Sequence, residues 1–240
     1  MVNLLKDNLE RTKKTLRKLH FSNNDPQHLL SICLLCTIYE NCTACLKLFE
    51  QRINSSVSIL LRNILEAHID LINISRDKNY YNNMILSYLF QRNKILKIAS
   101  EKGNENSYLK CLSDKNDIEE KYKESKKDYE QLIRDGYKNF SIKEKFMLAD
   151  QLDLYLSIYN LLCQDTHNNL TYLEKRHYNA DSDEIELFKH LPFEELLPYL
   201  DSINGILISS FIIVLKILKI EEDENIILSK KELDKMRMSN

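Results

Sequence analysis

Three glycines and three prolines in 240 residues leave this chain almost nothing with which to turn between β-strands. Many-stranded folds need such residues at their turns, so the scarcity points to helices joined by Asn- and Asp-bearing loops. Apolar residues recur at three- and four-residue steps through most of the chain, and no strong strand pattern interrupts them. The expected fold is all-α: an antiparallel helical bundle of about six or seven helices, with residues 1–220 as a single domain. A long charged helical arm is expected over about 105–135, and a charged, fraying tail over 221–240.

Helices are expected over residues 2–20, from Gln27 to Arg52, and from the Asn54-Ser55-Ser56 break to Ser75. Another runs from Tyr80 to Lys102, with Gly103-Asn104 as its stop. Ser141-Ile142-Lys143-Glu144 has the capping-box pattern and opens a helix that continues to about His167. Residues 172–190 read as polar and irregular. Pro192 starts a last helix from Phe193 to Ile220, with a break expected near Pro198. Its stretch from Ile203 to Ile220 is close to the length of a membrane span. Asn204, Lys216 and Lys219 intrude on it, and Lys is costly in lipid, which favours a buried core helix and no membrane contact.

Lys+Arg number 34 against 36 Asp+Glu, a formal net charge of -2. No global basic field recruits nucleic acid, so any such contact needs a local patch. The first twenty residues form an Arg/Lys-rich amphipathic segment without the apolar core of a secretory signal, and the expected location is cytoplasmic with reduced thiols. Cys33, Cys36, Cys42, Cys45, Cys111 and Cys163 are the cysteines. Two C-x-x-C pairs suggest zinc, but both lie on one expected helix at angles that do not converge. Buried small hydrophobes are the favoured reading, with no metal site. No H-E-x-x-H, Gly-rich phosphate loop or nucleophile elbow occurs, which argues against an ATPase or a serine hydrolase. No cofactor is implied.

The stretch from Ser55 to Ile74 is apolar on nearly every face. Along one side, however, Ser58, Arg62, Glu66, Asp70 and Asn73 follow one another at three- or four-residue steps. Charged side chains enter an interior only when paired, so whatever faces this stripe must be polar. It is the best place in the chain for a site.

Within it, Arg62-Asn63-Ile64-Leu65-Glu66-Ala67-His68 resembles the R-N-x4-H signature of the HEPN superfamily of helical ribonucleases and toxins. That resemblance implies metal-independent RNA cleavage, with Arg62, Asn63 and His68 at the scissile phosphate. It also implies a homodimer, and a role in toxin or antiviral defence systems. Along its own helix His68 is flanked by Ile64, Leu65, Leu71 and Ile72, which favours a core histidine over a catalytic one.

A second likeness joins Arg62-x-x-x-Glu66 to Tyr159-x-x-x-Cys163-x-x-x-His167. It is similar to a family of uncharacterised bacterial helical proteins carrying those two motifs, over about residues 25–175. It implies that His167 approaches Arg62 and Glu66, with Tyr159 and Asp165 beside a substrate. The candidate catalytic residues are therefore Arg62, Asn63, Glu66, His68 and His167. Two functions stay open: an RNA-cleaving effector held in check by an antitoxin or similar partner, and a non-catalytic helical module that binds a protein, its Arg-Glu-His cluster only fixing the packing.

Overall fold

The computed structural model describes residues 1–102, 109, 117–167, 169–188 and 192–238. Cys111, His190, Asn168, the Gly103-Asn104 stop and the first part of the expected arm lie outside the described residues.

The fold is all-α. Helices α1 (Val2–Leu16), α2 (Pro26–Glu50), α3 (Val57–Arg76), α4 (Tyr80–Lys102), α5 (Ile118–Arg134) and α6 (Ile142–Leu148) come first. They are followed by α7 (Leu152–Leu154), a π-helical turn (Tyr155–Tyr159), α8 (Asn160–Thr166) and α9 (Leu170–His177). A short antiparallel hairpin, β1 (Tyr178–Asn179) with β2 (Glu184–Ile185), precedes α10 (Phe193–Leu218) and α11 (Glu224–Met238). Where one bundle with an arm was expected, the contacts gather into two units: Met1–Arg76 with Lys145–Asn240, and Asp77–Glu144.

In the first unit α3 lies against α2, α10 and α8. Its apolar residues Leu61, Ile64, Leu65, Ile69, Leu71 and Ile74 are fully buried. Asp25 caps α2, accepting from the N–H groups of Gln27 and His28, and Pro26 occupies the first turn, where a missing N–H costs nothing. Helices α2 and α10 are each long and apolar enough to cross a membrane by length and composition. In this fold α10 spends Ile203, Leu207, Phe211, Val214 and Leu215 on the core. Pro198 does not break α10: so near the N-terminus it forfeits a single backbone bond.

In the second unit α4 packs along α5, with Phe90 stacked on Tyr129 at 6.2 Å between ring centroids. Asn83 Nδ2 donates to the Lys138 carbonyl at 3.0 Å. Ser141 and Glu144 form the expected capping box, the Ser141 N–H donating to Glu144 Oε2 at 2.7 Å and the Glu144 N–H to Ser141 Oγ at 3.3 Å.

Three expectations are corrected. The tail does not fray along its length: Ile226, Ser229 and Leu233 of α11 are buried. Leu233 joins Leu4 and Ile208, and Arg11 holds Glu232 through two bonds of 2.6 and 3.1 Å. The helix expected from Ser141 to His167 stops after Leu148, where Asp150 turns through a left-handed φ of 52°, and its second half contains the π turn. Residues 172–190 are not irregular throughout, because α9 and the hairpin occupy most of them.

Candidate functional site

The polar stripe of α3 finds its partner in the segment from Lys145 to Asp165, which runs antiparallel to it. Each polar side chain of the stripe meets a polar group of that segment, in reverse order. Asn73 Nδ2 donates to the Lys145 carbonyl at 3.0 Å, and the Lys145 ammonium sits 3.0 Å from Asp70 Oδ1. One turn before Asp70 on α3, Glu66 Oε1 accepts from the Tyr159 hydroxyl at 2.7 Å. Arg62 donates from Nε and Nη2 to the same hydroxyl, at 3.2 and 3.1 Å. At the first turn, the Ser58 hydroxyl donates to Asp165 Oδ2.

Arg62, Glu66 and Tyr159 close a triangle, because Arg62 Nη2 also pairs with Glu66 Oε1 at 2.9 Å. Burial works against the Arg62 charge, but the bond to Tyr159 and the carboxylate of Glu66 outweigh it and hold the guanidinium above its ordinary value. Burial raises the Tyr159 phenol, and its bond to Glu66 raises it further, so Tyr159 serves as a neutral donor at pH 7. Tyr159 is itself fixed by its ring, 5.0 Å from Phe146 and 5.5 Å from Tyr155. The Arg62 and Glu66 side chains keep 25% and 33% of their surface exposed, so the triangle opens to solvent at one edge.

The other expected site residues are dispersed. Asn63 is exposed, on a face of α3 away from the triangle. His68 lies in the core, 9% exposed, with Nδ1 2.7 Å from Ser210 Oγ of α10. Burial lowers its pKa to about 4, leaving a neutral imidazole at pH 7. His167 is exposed at the end of α8, and among the described residues no hydrogen bond or ion pair joins it to Arg62 or Glu66. The reason is geometric. In an antiparallel pairing that sets Tyr159 against Arg62 and Asp165 against Ser58, His167 falls beyond the first residue of α3.

Asp165 is not free to receive a substrate: it also takes the Arg176 guanidinium of α9. Arg176 and Lys145 are the partners that sequence reasoning missed. Beside Arg176, the residues Tyr172, Lys175, Glu195 and Tyr199 edge a narrow pocket of about 50 Å³ at the start of α3. Cys42 and Cys45 are buried as expected, whereas Cys33 and Cys36 are exposed, since they occupy the outer side of α2. Among the described residues no group of three or more His, Cys, Asp or Glu is placed to hold a metal ion.

On the other side of the α7–α8 segment a groove opens between that segment and α10. Its floor is a second face of α3, formed by Leu61, Leu65, His68 and Ile72. Two adjoining hollows of about 390 and 250 Å³, which share Ile158 and Ser202, make up its length.

Residues 28–185, about two-thirds of the chain, match a family model described as a family of unknown function (DUF5677). Both Arg62-x-x-x-Glu66 and Tyr159-x-x-x-Cys163-x-x-x-His167 fall inside the match. Neither the comparison with curated proteins nor that with solved structures gives a match.

Proposed function

We propose, from the premise that the chain belongs to this family and that the family's description names no activity, that the protein is a non-catalytic helical module that binds a protein partner. One observation carries the reading. Ser58, Glu66, Asp70 and Asn73 of α3 are partnered within the chain, while beside α3 a groove opens at the partly exposed Ile72, with Leu154, Ile158 and Leu161 along its wall. Its lining sets apolar side chains such as Leu154, Ile158, Leu161 and Ile206 beside polar and charged ones such as Gln151, Lys175, Glu195, Asp201 and Arg237, a mixture that suits an amphipathic helical segment of another chain. The Arg62–Glu66–Tyr159 triangle then holds the α7–α8 wall in register, which is the role of a satisfied polar network.

The test compares wild type with Ile158→Arg, which puts a charge on the groove wall. A partner retained by the wild type, identified by mass spectrometry and reconstituted from purified components, is expected to be lost by Ile158→Arg at unchanged melting temperature. Equal binding by both proteins overturns the reading.

A second reading, metal-independent RNA cleavage, draws support from Arg62. Its Nη1 donates to nothing among the described residues, and its edge is open to solvent, so it has capacity for a phosphate oxygen. Here Arg62 clamps the phosphate, and His167, exposed at the end of α8, supplies the acid/base group. RNA cleavage by the purified chain, abolished by Arg62→Ala and by His167→Ala in variants that remain folded, decides for it. Loss in His68→Ala alone, with His167→Ala fully active, assigns the acid/base role to His68.

A further inference from the structure

We infer that Cys33 and Cys36 form a two-sulfur binding site for a soft monovalent metal ion of the Cu(I) class. Both thiols are exposed, on the outer side of α2. They stand three residues apart on a helix that runs unbroken from Pro26 to Glu50, so their Cβ atoms lie about 5–6 Å apart on one face. The same helix repeats the spacing at Cys42 and Cys45, and there the core takes both. Burial drives those two thiols far from ionisation, Cys45 to about 12. Two pairs of identical spacing thus have opposite fates, and of the two only the outer one can reach a ligand.

Geometry separates coordination from a cross-link. A disulfide needs its Cβ atoms about 3.5–4.5 Å apart and a sulfur–sulfur bond of about 2 Å. In the middle of α2 that would draw two turns of helix together. A metal ion between the sulfurs, at roughly 2.3 Å from each, lets them stand up to about 4.6 Å apart and leaves the helix as it is. Cys36 is also a poor nucleophile for disulfide exchange. Burial, then the neighbouring Cys33 and Glu40, holds its thiol above the ordinary value. Coordination does not wait for free thiolate, because the ion displaces the proton.

The number of donors selects the ion. Thiolates favour soft metals, Cu(I) and zinc among them. Zinc in structural sites takes four ligands, and in catalytic sites three with a water. Among the described residues no third His, Cys, Asp or Glu joins the pair to hold an ion. Cu(I), a closed-shell monovalent ion, is satisfied by two thiolates in line. On binding, two S–H bonds break, two S–Cu bonds form and two protons pass to water. Copper and sulfur keep their oxidation states. The product carries one negative charge, which the exposed side of α2 leaves in contact with water.

Anaerobic titration of the reduced full chain tests this, with Cu(I) supplied as its acetonitrile complex and competed against the chromophoric chelator bicinchoninate. Wild type, Cys111→Ser and Cys163→Ser are expected to hold one Cu(I) per chain. Cys33→Ser and Cys36→Ser are each expected to lose it to the chelator at unchanged circular dichroism. Loaded wild type is further expected to resist iodoacetamide at Cys33 and Cys36, read by peptide mass spectrometry, whereas the metal-free chain is alkylated at both. A wild type that binds no more Cu(I) than the Cys33→Ser Cys36→Ser double variant overturns the site. Retention by either single variant overturns the pairing of the two sulfurs, and loss in Cys111→Ser or Cys163→Ser overturns the two-sulfur donor set. If a variant has lost its helical signal, the alkylation of wild type decides: equal labelling with and without Cu(I) overturns the inference.

Discussion

The hydroxyl of Tyr159 donates to Glu66 Oε1 at 2.7 Å while accepting from Arg62, so one phenol ties together both charged members of the α3 stripe. Removing it alone leaves the ring stacking intact. Tyr159→Phe is therefore expected to cost about 1.5–3 kcal/mol, the usual range for hydrogen bonds to charged groups. Urea unfolding checks this, with near-unchanged helical content before the transition.

Arg62→Ala removes the other corner. The side chain is a quarter exposed, so its loss falls short of the cost of breaking a fully buried pair, and about 1–3 kcal/mol is expected. Lys47→Ala removes an i,i+3 partner of Glu50 from a side chain 67% exposed, and a change under about 0.5 kcal/mol is expected. Thermal melts of the two variants side by side measure the difference; equal melting temperatures refute it.

His68 sets a pH dependence. Its folded pKa, lowered by burial to about 4, lies below the unfolded value of about 6.5. The unfolded chain therefore binds the proton first as pH falls. The stability associated with the neutral ring is complete above about pH 6.5 and is lost progressively down to about pH 4. By pH 5 the loss from this group is about 2 kcal/mol. Stability of wild type against His68→Gln at pH 7 and pH 5 isolates the contribution, and an equal pH slope in both proteins contradicts it.

Leu233 tests the closing of the tail. It is buried with Leu4 and Ile208, so Leu233→Ala is expected to destabilise by about 2–4 kcal/mol, whereas Leu228→Ala, exposed on the same helix, changes stability by under about 0.5 kcal/mol. Urea midpoints of the two variants give the comparison.

The helices and the stripe of α3 were legible because both follow a 3.6-residue period that needs only local sequence. The stripe's partners were legible in part. Tyr159 came from a likeness between motifs, but Lys145 and Arg176 sit in charged stretches where any lysine or arginine looks alike, and only the antiparallel pairing selects them. The approach of His167 to Arg62 came from the same likeness between motifs, in which His167 continues the row of Tyr159 and Cys163. The row is real, but it leads past the end of α3. The buried face of α11 was present in the spacing of Ile226, Ser229 and Leu233, hidden among charges that made the tail read as solvated. The groove had no local signature at all: Leu61 and Leu65 read as core and are core, and the hollow beside them exists only through the placement of the α7–α8 segment against α10.

The π turn at Tyr155–Tyr159 takes up one extra residue between two halves of one ladder. A π turn holds one residue more than the α-helical turn it replaces, so the helix after it keeps nearly the phase it would have without the insertion. Deleting Ser157 would therefore return the segment to α-helical winding and draw Asp165 about 1.5 Å along the axis, its side chain still turned toward α3. The Lys145–Asp70 clamp lies before that point and would keep its geometry. The turn thus lets the α8 end of the ladder gain or lose one residue without turning its polar row away from α3.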